Sequence, residues 1–93
     1  MLNSQSTLSR QATITNELGL HARSAAKIAK LAQLASGPVW IAKGDQKADA
    51  ASIVDILTLA CEKGTRIMIG VEDQADIQIV ENITKLIESG FGE

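Results

Sequence analysis

His21 is the only histidine in 93 residues. It sits in the run Asn16-Glu17-Leu18-Gly19-Leu20-His21-Ala22-Arg23-Ser24-Ala25-Ala26, where loop-like sequence gives way to a helical pattern. The first turn of a helix carries backbone N–H groups with no partner inside the helix, and its dipole favours negative charge. Imidazole is nucleophilic near neutral pH. Arg23, two residues on, has a guanidinium fork suited to phosphate oxygens. Together with the N–H groups of Ala22 and Arg23, these residues have the parts needed to accept a phosphoryl group and cradle it. Gly19 supplies the backbone freedom that lets the histidine be presented rather than buried.

A lone histidine is ordinarily structural, so competing chemistry has to be weighed. No second histidine, cysteine pair or carboxylate cluster at ligand spacing accompanies His21, and neither a metal nor a cofactor is expected. Nor is there a histidine-serine-acid constellation with an evident oxyanion hole, so hydrolysis has little support. The single Cys61 reads as a small buried apolar residue, and a cysteine without a partner fits a reducing compartment. A net charge of −2 and only two aromatics, Trp40 and Phe91, argue against an extended nucleic-acid footprint. No apolar stretch approaches the ~20 residues that cross a bilayer. The first ten residues lack the hydrophobic region of a secretory signal, which makes a cytoplasmic location the expectation.

The length suits one domain with one core: a loose polar arm over residues 1–7 and a single domain over 8–93. Residues 8–15 alternate as a strand does, with Ala12 and Ile14 on the core side. Residues 21–35 switch to helical spacing, with Ala22, Ala25, Ala26, Ala29 and Ala32 on one face and Arg23, Lys27 and Lys30 on another. Ser36-Gly37-Pro38 stops that helix. Residues 39–42 and 47–50 read as strands, the first with Val39 and Ile41 opposed to Trp40. A second helix begins at Ser52, whose spacing to Asp55 is that of a capping box. Its buried face is assigned to Ile53, Ile56, Leu57 and Ala60, and its stop to Gly64. Residues 65–71 are the clearest strand. Asp73 and Asp76 repeat the capping signature before a third helix striped by Ile79, Val80, Ile83, Leu86 and Ile87. The order β-α-β-β-α-β-α implies an α+β two-layer open-faced sandwich: a four-stranded antiparallel sheet covered on one face by three helices.

The run Gly19-Leu20-His21-Ala22-Arg23 resembles the active-site signature of the HPr phosphocarriers of the bacterial phosphotransferase system. Ala51-Ser52-Ile53-Val54 and Lys63-Gly64-Thr65-Arg66-Ile67 fall where that family has its second helix and last strand. The resemblance implies that enzyme I, charged by phosphoenolpyruvate, phosphorylates His21 on Nδ1. The group then passes to a histidine of an enzyme IIA, while Arg23 shields it. It implies a transient carrier rather than a stand-alone turnover enzyme. Many members have proline directly after the arginine, where this chain has Ser24. Leu18, the alanine-rich first helix and the ending Leu86-Ile87-Glu88-Ser89-Gly90-Phe91-Gly92-Glu93 look more like the nitrogen-branch relatives, which tend to serve regulation.

Ser52 has two readings. It is an N-cap worth about 1 kcal/mol, and it matches a serine that an HPr kinase/phosphorylase modifies in some members. The cap alone is favoured, because Ala51 replaces a common lysine and Asp55 already brings a negative charge. Lys27 and Lys30, with Ile53 and Val54 as an apolar centre, are the candidate docking residues for enzyme I and enzyme IIA. A monomer is expected. Two rivals remain: a phosphorylation-dependent regulatory binding protein with little onward transfer, and a ligand-sensing α+β domain with a pocket elsewhere.

Overall fold

A computed structural model describes residues 8–93; the expected arm over residues 1–7 lies outside the described residues. The elements are β1 (Ser9–Thr13), α1 (Ala22–Ala32), β2 (Val39–Lys43), β3 (Gln46–Asp49), α2 (Ile53–Thr58), β4 (Arg66–Val71) and α3 (Ile77–Glu88). One-turn 3₁₀ segments at Gln74–Asp76 and Gly90–Gly92 flank α3. The strands form one sheet in the order β1-β4-β2-β3, antiparallel throughout. β4, the last strand in the chain, therefore lies between β1 and β2. Its alternation sends Ile67, Ile69 and Val71 into the core and Arg66 and Met68 to the open face.

Helices cover one face only, as expected: α3 lies against β1 and β4, and α1 packs against both α2 and α3. The other face is open. There Trp40 stands opposite Gly70 in the β2–β4 register, and a Cβ at Gly70 would fall 2.1 Å from the indole. Glycine at that position is what lets the ring lie flat on the sheet. Lys47 of the neighbouring strand sits 4.5 Å from the ring centroid, a cation–π contact. Cys61 is buried, and burial pushes its thiol pKa up, away from nucleophilic chemistry.

Several local expectations are corrected. The buried stripe of α1 is Ser24, Ala25, Ile28, Ala29 and Ala32, with Ala22 exposed. The helix turns to bury Ile28, whose side chain gains more on leaving water than an alanine methyl. The helix also stops at Ala32 rather than 35. The Asp76 carboxylate accepts from the N–H groups of Ser36 and Gly37, both at 2.9 Å, and draws the chain toward α3. Asp76 thus stands at the start of α3 without capping it, while Asp73 caps the preceding 3₁₀ turn through Ala75 N–H.

The second helix departs furthest. Among its residues only Ile56 is buried, while Ile53, Val54, Leu57 and the following Ala60 are exposed. It ends well before Gly64, with Ala60 in the left-handed region at φ 52°. Lys43 Nζ donates to the carbonyls of Leu59 at 2.9 Å and Ala60 at 3.3 Å. A cation reaching across from β2 thus caps the helix where its carbonyls would otherwise lack partners. Ser52 caps the start as expected, accepting from Asp55 N–H at 3.2 Å. The reciprocal half is absent, since Ser52 N–H donates to Asp49 O and Asp55 turns toward Asp49 N–H.

Candidate functional site

The loop before α1 is built against the segment that precedes β4. Gly19 N–H donates to Asn16 O at 3.1 Å, and Leu20 N–H donates to Cys61 O at 2.8 Å. Gly19 itself has φ +66°, and a Cβ there would lie 2.3 Å from Cys61 O. Only glycine satisfies both the left-handed backbone and the close approach. The chain then leaves the turn extended, so that His21 becomes the N-cap of α1 at φ −119°, ψ −175°. Its side chain is about a quarter exposed. The expected position is therefore correct, one residue before the first helical turn.

Around His21 the structure gathers groups far away in sequence. His21 Nε2 lies 3.1 Å from Glu93 Oε2, and Arg23 Nη2 lies 3.7 Å from the same oxygen. The other oxygen, Glu93 Oε1, accepts from Asn16 Nδ2 at 3.2 Å, and that same Nδ2 donates to Gly19 O at 2.9 Å. Desolvation pushes the Glu93 carboxyl upward. Hydrogen bonds from Asn16 and His21, with the charges of His21 and Arg23, outweigh it and leave the carboxyl below its usual range. The chain reaches this place through Phe91, a buried residue held in the left-handed region at φ 63°. Lys27 Nζ donates to Phe91 O at 2.9 Å and ties the same segment to α1.

The first turn of α1 contains no acidic residue of its own. Its positive end, Arg23 and His21 instead meet a carboxylate delivered from residue 93. The arrangement is an anion site filled by a side chain, with Arg23 two-thirds exposed and able to turn to another anion. Glu93 engages Nε2, and the other side of the ring, bearing Nδ1, faces the Ser24 N–H at the start of α1.

Of the remaining sequence candidates, Lys30 is exposed, as expected of a docking cation. Lys27 is exposed as well, but its ammonium is engaged by the chain end. Ile53 and Val54 are exposed at 38% and 71%, and Leu18 in the His21 loop at 67%. Since α2 packs against α1, these side chains lie on elements next to the histidine. Sequence reasoning missed Asn16, Glu93 and the Lys27 contact. Asn16 and Glu93 are 77 residues apart, so no local spacing could have paired them. A hollow of about 500 Å³ on another part of the surface is lined by residues including Pro38, Trp40, Lys47 and Glu72; it shares no residue with the site.

The family model described as "PTS HPr component phosphorylation site" matches residues 8–89. The phosphocarrier protein NPr of Shewanella violacea is 40% identical over 87 residues, covering 92% of this chain and 94% of the relative. The phosphocarrier protein HPr of Neisseria meningitidis is 34% identical over 86 residues, covering 92% and 97%. Among solved structures, the HPr of Thermoanaerobacter tengcongensis superposes with a TM-score of 0.85 at 33% identity, covering 91% of this chain and 96% of that one. With the open-faced fold and the histidine at the start of α1 in place, the chain belongs to the HPr family and is a phosphoryl carrier of the phosphotransferase system.

Proposed function

We propose that His21 is the residue that carries the phosphoryl group, taking it from enzyme I and giving it to an enzyme IIA. The observation that carries this reading is the N-cap position of His21, with Nε2 held by Glu93 and no acid in the first turn of α1. In the accepting step Nδ1 gives up its contact with the Ser24 N–H, its lone pair attacks phosphorus, the nitrogen–phosphorus bond forms, and the bond from phosphorus to enzyme I breaks with its electron pair. The ring gains positive charge as that bond forms. Glu93 at Nε2 is placed to stabilise it, much as a carboxylate steadies an imidazolium in acyl transfer. Arg23 turns from Glu93 to the phosphoryl oxygens, with the N–H groups of Ala22 and Arg23 completing the cradle. Imidazole is both nucleophile and leaving group, so the same atoms run the step backwards toward the acceptor.

Docking is assigned to Lys27, Lys30, Ile53 and Val54, joined by Leu18 and Leu57 on the strength of their exposure. The 40% identity to an NPr supports placing the chain on that side of the family. Ser52 is read as a cap rather than a phosphorylation site, because its hydroxyl is engaged with Asp55 N–H; exposure to HPr kinase followed by intact-mass measurement tests this. A cytoplasmic monomer completes the proposal, in keeping with the absence among the described residues of a helix long and apolar enough to cross a membrane.

The decisive experiment mixes the protein with enzyme I and phosphoenolpyruvate and follows the mass increase of one phosphoryl group. A folded His21→Ala variant is expected to take none, and retention of labelling by that variant would overturn the assignment. Adding an enzyme IIA then separates a carrier, which loses the group, from a regulatory protein that keeps it.

A further inference from the structure

Ser24 is fully buried, although its hydroxyl is polar and sits in the first turn of α1. Every hydrogen bond of that hydroxyl goes back to the loop that holds the histidine. Oγ accepts from His21 N–H at 3.0 Å, and its own proton is placed between Gly19 O and His21 O, each at 3.2 Å. One donor and two acceptor lone pairs allow this combination. His21 N–H lies just ahead of the helix and has no partner inside it, so Ser24 satisfies a group that would otherwise be orphaned. The pair forms a capping-box arrangement in which the imidazole in turn faces the Ser24 N–H. With Nε2 taken by Glu93, the ring nitrogen on that side is Nδ1.

An alanine at this position would fill nearly the same buried space and continue the helix equally well. What it would not do is fix the backbone on both sides of the histidine. Two residues earlier Gly19 occupies a left-handed turn, and small rotations there swing the imidazole. Placement matters, since a displacement of about 1 Å at a reacting atom can cost on the order of 100-fold in rate.

We infer that Ser24 is a positioning residue for the phosphoryl relay: its hydroxyl locks residues 19–21, and its N–H turns Nδ1 toward the helix N-terminus. The inference rests on the assignment of His21 as the carrier. Ser24 touches no transferred atom and acts through His21.

The test compares wild type with Ser24→Ala, which keeps the N–H and loses the hydroxyl, Ser24→Thr, which restores a hydroxyl, and Ser24→Pro, which loses both. In the unphosphorylated proteins, hydrogen exchange at His21 N–H and the imidazole ¹⁵N spectrum are measured. In the presence of enzyme I and phosphoenolpyruvate, kcat and KM for phosphoryl acceptance are separated. Ser24→Ala is expected to speed His21 N–H exchange about tenfold or more and to lower kcat by roughly five- to thirty-fold, with KM within about twofold. Ser24→Thr should recover most of kcat, and Ser24→Pro should shift the imidazole ¹⁵N signals furthest. Unchanged exchange and kcat in Ser24→Ala, or a change confined to KM or melting temperature, would overturn the inference. If Ser24→Ala does not fold, wild type decides alone: a His21 N–H exchanging like an open loop amide also overturns it. Should wild type accept no phosphoryl group, the carrier assignment fails by itself, while the exchange and ¹⁵N measurements still decide the role of Ser24.

Discussion

The N-termini of α1 and α2 each use a serine, yet the two ends are prepared for different things. At α2 the serine is the N-cap itself. Ser52 accepts from Asp55 N–H, and Asp55 supplies a carboxylate within the first turn. The cap and the counter-charge of that helix end both come from residues within three positions of each other. At α1 the N-cap is His21, the serine is three residues inside and fully buried, and the first turn has no acid. Its counter-charge comes from Glu93, 72 residues away, on a chain end held by Phe91 and Lys27. The dipole is met by neighbouring residues at one helix and by a distant side chain at the other. A carrier needs the second kind, because a group it passes on must be held by contacts that can be exchanged.

The largest expected break in this comparison is Gly19→Ala. A methyl 2.3 Å from Cys61 O at φ +66° cannot be accommodated without moving the loop. Strain of this kind costs about 1–3 kcal/mol, so the melting temperature should fall by roughly 4–8 °C per kcal/mol lost. Phosphoryl acceptance should fall at least tenfold, because the histidine moves with the loop. A variant that melts and labels like wild type would show that the turn does not place His21.

Arg23→Ala should act on chemistry without acting on stability. Its side chain is mostly exposed, so the melting temperature should hold within about 2 °C. Losing a charged donor to the phosphoryl group removes about 1.5–3 kcal/mol. Acceptance is then expected to drop by about tenfold or more. Ser52→Ala should do the opposite, costing about 1 kcal/mol of stability and leaving phosphoryl acceptance within about twofold. Equal losses of acceptance in the two variants would mean that both helix ends serve one function, and the contrast drawn above would be wrong.

The smallest effect is set by pH. The Glu93 carboxyl titrates below its usual range because of Asn16, His21 and Arg23. A depressed carboxyl stabilises its contact above the unfolded value, about 4.3, and loses that contribution as pH falls through the folded value. The Glu93–Asn16–His21 contact should therefore be intact at neutral pH and open progressively below about pH 4. The side-chain amide signals of Asn16 report it in an NMR titration, and Glu93→Gln should flatten the response. An Asn16 signal that ignores acid would remove Glu93 from the site.

The misreadings share a cause. Gly64 is a sound local stop signal, yet α2 ends at Thr58, where Lys43 reaches the following carbonyls of Leu59 and Ala60 from a different strand. Asp76 stands where the partner of an Asp73 cap belongs by spacing, yet its carboxylate turns to Ser36 and Gly37. Ile53 and Leu57 fitted an apolar stripe, but a six-residue helix meets its neighbours along a line too narrow to cover both. In the first two cases the local pattern allowed a partner and another element supplied a better one; in the third the neighbouring elements left part of the stripe uncovered. The long alternation of β4 and the periodic stripe of α3 were read correctly because each sums many residues, and no single outside contact could outvote them.

By itself the sequence determined the element order, the open-faced architecture that follows from it, and the short-range chemistry of a histidine, an arginine and the first-turn amides. Those depend on spacings of two to four residues, where the chain's own geometry dictates what meets what. Tertiary structure alone decided that Glu93 lies on His21, that Lys27 holds the chain end, and that Gly19 is pressed against Cys61. Contacts of that range form only once the sheet order and helix packing bring distant segments together. A residue's type shows what it can bond, but only the fold determines what comes within reach of it.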